Sequence, residues 1–140
     1  DLPLHVKQQT HDYHWTCHCP ICIERKTWKD LLSSMTQMES FSGMRVNKVV
    51  RQLMRGSKMG QPWLLIEGER RNGPGYVNKL RRIEICVNDT QWTAASIDAF
   101  IRRLRTRGVQ VEYTAGPRET AAVIADLFYR AHEASKAWPL

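Results

Sequence analysis

Short apolar runs alternate with apolar stripes at helical spacing along this chain. Residues 21–23, Ile-Cys-Ile, are apolar throughout, which is typical of a strand covered on both faces. A first helical stripe begins at Trp28 and is broken by Ser42-Gly43, and a second spans 44–58 before Gly60 ends it. The pattern predicts strands at 4–7, 13–16, 20–25, 63–67, 83–87 and 109–113. It predicts helices at 28–41, at 44–58, from a cap at either Thr93 or Thr90 to 107, and at 117–135. This alternation predicts an α/β domain whose mixed sheet lies between helices.

The composition adds two constraints. The 140 residues are 42% hydrophobic and 25% charged, which is ordinary for one soluble globular domain, here 1–140. No apolar run approaches the roughly 20 residues that a membrane span requires. The net charge of +7 fits a polyanionic partner such as nucleic acid, although a merely basic soluble domain fits the charge equally well.

Charged residues follow the apolar run at 21–23 with no turn between them. Glu24, Arg25 and Lys26 are consecutive, and Asp30 comes one helical turn later. A carboxylate and an amine at the end of a buried strand are costly to remove from water unless they serve a metal ion or a reacting group. The cluster therefore indicates chemistry at this strand end, with a structural network of salt bridges as the alternative.

The cluster also resembles a family signature. The run Glu24-Arg25-Lys26-x-x-x-Asp30-Leu31-x-x-Ser34 is similar to that of the XPF-type structure-specific DNA endonucleases. Three further blocks resemble the family in the same order along the chain: Asp12-Tyr13 (with His11 where the family has glycine), Arg45 at the opening of the next helix, and Pro62-Trp63-Leu64-Leu65-Ile66-Glu67-Gly68 as the next core strand.

This resemblance implies a restriction-endonuclease-like fold, in which a mixed central sheet is flanked by helices. The family's domain normally begins with an acidic strand and a helix, and nothing before Asp12 supplies them. We therefore expect the N-terminal strand and helix to be missing from this chain. The implied activity is metal-dependent cleavage of phosphodiester bonds in branched, flap or junction DNA, during repair or recombination.

The resemblance also implies the roles of the site residues. Asp12 and Glu24 would bind Mg²⁺ or Mn²⁺, since carboxylates suit hard cations, and Lys26 would be the catalytic lysine. Arg25 completes the catalytic set and is expected to pair with a carboxylate or a DNA phosphate. Asp30 is either a third metal ligand or an acid that favours the N-terminal end of its helix.

DNA contacts are expected from basic residues outside the cluster. The candidates are Arg45, Arg70, Arg71 and Lys79, the last three in or beside an exposed loop predicted at 68–78. Arginines 102, 103, 105 and 107 form a second basic stretch, with a solvated helix face as the alternative.

The family implies a homodimer or heterodimer, located in the nucleus if eukaryotic and otherwise in the cytoplasm. A non-catalytic DNA-binding or scaffold subunit is the alternative function, and a protein-interaction domain is a third.

Three other features have simpler interpretations. Cys17, Cys19 and Cys22 suggest a zinc site, but no second Cys-x-x-Cys pair follows, and Cys22 falls in the predicted core strand. Glu67 is expected to be an ordinary acid at a strand end, with a position near the metal ion as the alternative. The stripe on the last helix, formed by Ile124, Leu127, Phe128 and Tyr129, is expected to pack on the sheet, with a dimer surface as the alternative.

Overall fold

The computed structural model describes residues 4–6, 13–15, 20–77, 83–87 and 92–137. Along the chain its elements are β1 (Leu4–Val6), β2 (Tyr13–Trp15), β3 (Ile21–Thr27), α1 (Trp28–Thr36), β4 (Met38–Phe41), β5 (Met44–Asn47), α2 (Lys48–Ser57), β6 (Gln61–Glu67), β7 (Asn72–Val77), β8 (Ile83–Val87), α3 (Ala94–Thr106), β9 (Gln110–Thr114) and α4 (Pro117–Ala137).

One mixed sheet forms the centre of the described part of the domain. Its strand order is β1-β2-β3-β6-β9, with β3, β6 and β9 parallel and β1 and β2 antiparallel to their neighbours. The central strand β6 is buried along most of its length, as expected for a strand covered by helices on both faces, whereas the edge strand β9 has both buried and exposed positions. The predicted α/β class with a mixed sheet between helices is confirmed.

Two hydrophobic clusters lie on opposite faces of this sheet. The larger one packs α1, α2 and α3 against residues such as Leu64 and Ile66 of β6. The smaller one packs α4 against Ile23 of β3 and Leu65 of β6. Its residues Ile124, Leu127 and Phe128 come from α4, so the expectation that the stripe packs on the sheet is confirmed for these three. It is wrong for Tyr129, which is 58% exposed.

Threonine side chains cap two of the helices. The Thr27 hydroxyl accepts a hydrogen bond from the Asp30 backbone N–H at 3.2 Å, and Thr93 accepts one from the Ser96 N–H at 3.1 Å. Each cap satisfies a donor that the first helical turn leaves without an intrahelical partner. The cap on α1 makes the helix begin directly after β3, so the charged cluster lies at a strand-to-helix junction.

The segment 37–47 differs from the predicted helices. Helix α1 ends at Thr36, and Arg45 lies on β5, which forms a hairpin with β4. The turn residues Ser42 and Gly43 have φ of 50° and 79°, as in the two-residue turns with positive φ that match the twist of a hairpin. The predictions of a helix from 44 and of Arg45 at its start are therefore wrong, because the Ser-Gly pair is a hairpin turn and not a helix end.

The predicted loop at 68–78 is also wrong from residue 72 onward. Strand β7 pairs with β8 in a two-stranded sheet of its own, with a register irregularity between Asn72 and Gly75. Glycine and proline there indicated a loop, and the irregular pairing accommodates them. The strand predicted at 83–87 is confirmed as β8. None of the helices in the described ranges is both long and apolar enough to cross a membrane.

Candidate active site

The charged triplet is divided between the two faces of the sheet. Glu24 pairs with Leu64 in the parallel ladder, Lys26 pairs with Ile66, and Arg25 pairs with Leu65. Paired residues in a sheet point to the same face, and successive residues point to opposite faces. Glu24 and Lys26 therefore share the face covered by α1–α3, whereas Arg25 lies on the α4 face.

Glu24 is a nearly buried carboxylate, with 5% of its surface exposed. Lys26, two residues on, is partly exposed, and β3 ends one residue later at Thr27. Removing a carboxylate from water is costly, and strand ends with such groups are typical of functional sites. The structure thus brings Glu24 and Lys26 together on one face at the carboxyl end of β3.

Asp12 lies outside the described residues. The neighbouring ladder pairs Tyr13 of β2 with Ile23 of β3, and in the sequence Asp12 precedes Tyr13 while Glu24 follows Ile23. Within the described ranges, no three histidine, cysteine, aspartate or glutamate side chains converge as metal ligands would. The assignment of Asp12 as a ligand stays a prediction.

Asp30 lies in the first turn of α1 with an exposed side chain. Its backbone N–H donates to Thr27, and an acid in this turn interacts favourably with the positive end of the helix dipole. This position fits the helix-terminus interpretation, and its role as a metal ligand stays a prediction.

Arg25 binds Glu67 across the neighbouring strand. Its Nε donates to Oε1 at 2.9 Å and its Nη2 donates to Oε2, which makes a bidentate pair. The expectation that Arg25 pairs with a carboxylate is confirmed. Hydrogen bonds from Arg25 and Thr120, together with the arginine charge, lower the pKa of Glu67, although burial acts in the opposite direction. Glu67 is therefore ionised at neutral pH despite being only 6% exposed.

Two buried threonines extend this pair to the rest of the sheet. Thr120, in the first turn of α4, lies with its hydroxyl oxygen 2.6 Å from that of Thr114, the last residue of β9. Both threonines are only 3% exposed. A lone threonine at a strand or helix end carries no functional signal in the sequence until its partner is known.

Trp28 and Arg70 form a second set of contacts near the strand ends. The Trp28 indole donates to the Gly68 carbonyl at 3.1 Å, and its ring stacks on Tyr113 with centroids 6.0 Å apart. The Arg70 guanidinium lies 5.8 Å from the Trp28 ring centroid and forms a 2.8 Å ion pair with Asp98. Arg70, predicted to contact DNA, thus already has protein partners, whereas Arg71 is exposed and Lys79 lies outside the described residues.

Arg45 contributes to a cleft that we call the arginine cleft. It has a volume of about 220 Å³ and is lined by Met38, Arg45, Val46, Asn47, Val50, Phe100, Arg103, Leu104 and Arg107. None of these described lining residues is acidic. The Arg103 guanidinium also lies 5.9 Å from the Phe100 ring centroid, which restricts its orientation. The pattern of arginines near 102–107 was visible in the sequence, but their meeting with Arg45 was not.

Cys22 lies on β3 and is buried. Burial, and secondarily the charge of Glu24, raises the pKa of its thiol to about 11, so the thiol is protonated at neutral pH. Zinc binds the thiolate form of cysteine, and Cys22 behaves here as a small apolar core residue. Cys17 and Cys19, the other cysteines of the suggested zinc site, lie outside the described residues.

Comparison with known proteins identifies the family. The model of the ERCC4 domain matches residues 4–127, which is most of the chain. No curated protein matches the sequence. The match spans the charged triplet, the strand β6 and the core helices together, in agreement with the α/β fold. The chain therefore belongs to the ERCC4 domain family, the XPF-type domain of structure-specific nucleases.

Proposed function

We propose that this domain is a metal-dependent endonuclease that hydrolyses phosphodiester bonds in branched, flap or junction DNA during repair or recombination. Membership of the ERCC4 domain family supports the nuclease class. One observation carries the proposal of activity. The nearly buried Glu24 shares a sheet face with Lys26, at the carboxyl end of a strand in the centre of the fold.

The donor chemistry of this strand end fits a hard divalent cation. Asp12 and Glu24 would hold Mg²⁺ or Mn²⁺, since both offer carboxylate oxygens, and Asp30 is a possible third ligand. A bound ion of this kind polarises a phosphoryl oxygen and lowers the pKa of bound water.

Lys26 would supply the positive charge for the chemistry. Its ammonium group is partly exposed on the same face as Glu24, so it can reach a substrate phosphate that approaches the strand end. There it would orient the attacking water or stabilise the negative charge that develops on phosphorus oxygens. An amine suits this role because it can donate to either group without a fixed geometry.

We propose that the arginine cleft binds the DNA backbone at a distance from the reacting phosphate. Arg45, Arg103 and Arg107 converge there with no acid among the described lining residues. Guanidinium groups bind phosphates bidentately, and such contacts give affinity without sequence preference. Arg71 and Lys79 are further proposed contacts, whereas Arg70 would have to leave Asp98 to bind DNA.

We further propose that the domain works as a homodimer or heterodimer, in the nucleus of a eukaryote or otherwise in the cytoplasm. Support for the dimer comes from the family resemblance, together with the exposed Tyr129 on α4. A scaffold subunit without catalysis is the alternative, and the presence of both Glu24 and Lys26 argues against it.

Cleavage of labelled flap and junction DNA by the full chain, with and without Mn²⁺, tests the proposal. Glu24→Gln and Lys26→Ala should each lower the cleavage rate by about 10³-fold, because each removes a group that acts on the reacting phosphate. The matched controls Glu112→Gln and Lys58→Ala alter exposed residues outside the site and should cleave normally. Circular dichroism should show that all four variants are folded.

The outcomes separate the alternatives. Undiminished cleavage by folded Glu24→Gln or Lys26→Ala contradicts the active-site assignment. Wild-type binding without metal-dependent cleavage favours the scaffold alternative, and an absence of DNA binding favours a protein-interaction domain.

The arginine cleft has its own test. The triple variant Arg45→Ala/Arg103→Ala/Arg107→Ala should reduce the slope of log Kd against log salt by about 0.9 for each lost phosphate contact. Arg118→Ala, an exposed arginine in the first turn of α4 on the other side of the sheet, is the matched control. An unchanged slope in the triple variant contradicts the proposed contact.

A further inference from the structure

We propose that Arg25, Glu67, Thr120 and Thr114 form a strand-end clamp that positions Glu24 and Lys26 for cleavage. These four are positioning residues, which act from the opposite face of the sheet. The inference rests on the proposed function and assigns a role to residues that the cleavage chemistry itself does not use.

The first part of the clamp joins β3 to β6. The last pair of their ladder is Thr27 with Glu67, so the Arg25–Glu67 ion pair lies at the point where the ladder ends. Backbone pairing is weakest at strand ends, where local opening is least costly. Two parallel hydrogen bonds between a guanidinium and a carboxylate give a fixed orientation as well as energy. The pair therefore restrains the part of β3 that ladder hydrogen bonds hold least well.

The second part joins β6 to β9 and α4. Glu67 pairs with Thr114 in the last pair of the other parallel ladder, and the Thr120 side chain is near enough to Glu67 to help lower the pKa of its carboxyl. Thr120 and Thr114 also hydrogen-bond each other in a buried position. The end of β3 is thus joined to Glu67 of β6 by the Arg25 ion pair, and the end of β9 is joined to the first turn of α4 by the threonine pair.

The position of Arg25 in the chain makes this connection relevant to the site. Arg25 lies between Glu24 and Lys26, and the backbone at Arg25 determines how far apart and in which direction their side chains leave the strand. A displacement of a catalytic group by about 1 Å can cost on the order of 10²-fold in rate. The ion pair that holds Arg25 on the α4 face therefore controls the positions of the Glu24 and Lys26 side chains on the α1–α3 face.

Stability alone does not account for this polar cluster. The residues before it on the same face, Ile23 and Leu65, pack in the smaller apolar cluster beneath α4. Replacing a buried ion pair with well-packed apolar side chains is often neutral or stabilising. An arginine and a carboxylate offer instead a directional restraint, which apolar contacts do not provide.

The test compares Glu67→Gln and Thr120→Val with wild type in the full chain. We expect kcat to fall by about 10-fold or more with KM changed less than about 3-fold, since positioning is lost while DNA contacts remain. Mn²⁺ affinity in the absence of DNA, measured by calorimetry, should fall by about 10-fold, as for other residues that orient metal ligands. Thr120→Ser, which restores the hydroxyl, should recover at least half of the wild-type kcat.

Matched controls separate positioning from a general loss of polar contacts. Asp126→Asn breaks the exposed Arg130–Asp126 ion pair on α4, and Thr106→Val removes an exposed hydroxyl that donates to the Arg102 carbonyl. Both controls should leave kcat and Mn²⁺ affinity unchanged.

Three results are decisive. Folded Glu67→Gln and Thr120→Val with wild-type kcat and Mn²⁺ affinity overturn the clamp while leaving the proposed function intact. If Glu67→Gln does not fold, Thr120→Val against Thr120→Ser decides alone, because valine and serine differ from threonine by one group each. A wild-type chain that neither cleaves DNA nor binds Mn²⁺ overturns the proposed function and the clamp with it.

Discussion

The two faces of the sheet at the end of β3 present two buried glutamates with different surroundings. Glu67, on the α4 face, receives a bidentate pair from Arg25, and the Thr120 side chain also helps to lower the pKa of its carboxyl. Glu24, on the α1–α3 face, has the partly exposed Lys26 two residues away along the same strand. Burial is almost the same, 6% and 5% exposed, so burial alone does not distinguish a structural acid from a proposed catalytic one.

The charge of Glu67 is compensated within the protein by the guanidinium of Arg25, in a bidentate pair. This fixed guanidinium partner stabilises the ionised Glu67 in the folded protein and occupies the carboxylate oxygens that a metal ion or substrate would otherwise contact. A site for a cation must instead keep carboxylate oxygens available at the strand end. One triplet can serve both purposes because successive residues of a strand point to opposite faces.

The largest expected effect concerns the cores behind the two faces. Phe128→Ala, on α4, and Phe100→Ala, on α3, should each lower the free energy of unfolding by about 3–5 kcal/mol, because each leaves a cavity where a buried ring was. Only Phe100→Ala should also weaken the salt dependence of DNA binding, since Arg103 rests on that ring. Urea unfolding and DNA titrations check both parts, and an equal effect of the two variants on the DNA slope would contradict the comparison.

A smaller effect is expected from the neighbours Arg25 and Lys26. Arg25→Ala leaves the Glu67 carboxylate buried without its cation, which should cost about 1–3 kcal/mol of unfolding free energy. Since the arginine is 38% exposed, solvent screening favours the lower half of that range. Lys26→Ala should change stability by less than about 0.5 kcal/mol, as a substitution away from fixed contacts does. Similar losses in urea unfolding for both variants would remove the distinction between the faces.

The smallest expected effect is on the pH dependence of stability. The pKa of Glu67 is lower in the folded protein than its ordinary value of 4.5, so the unfolded chain binds more protons. Stability from this group is therefore fully present above pH 4.5 and is lost as the pH falls through the folded pKa. Glu67→Gln should flatten the acid limb of unfolding free energy against pH, whereas the exposed control Glu112→Gln should not. If Glu67→Gln leaves the acid limb unchanged, the ion pair does not contribute to the pH dependence of stability.

Local interactions account for what could be predicted. The apolar run of β3 and the helical stripe that begins at Trp28 lie in one continuous segment, so periodicity was sufficient to predict the strand and the start of α1. The hairpin of β4 and β5 was missed because Ser42-Gly43 fits both a helix end and a turn with positive φ. The strand β7 was missed because its glycines and proline indicate a loop, and its pairing with β8 cannot be seen from the residues of β7 alone.

By itself, the sequence determined the α/β class, the family and the position of the charged triplet at a strand end. These depend on contiguous residues and on the order of motifs. Only the tertiary structure decided that Arg25 meets Glu67, 42 residues away, that Thr120 joins them from α4, and that Arg45 meets Arg103 and Arg107 in one cleft. Strand register and helix packing determine such partners. The periodicity of a sequence specifies the face of the element on which a residue lies, but it does not specify which residue of another segment lies opposite.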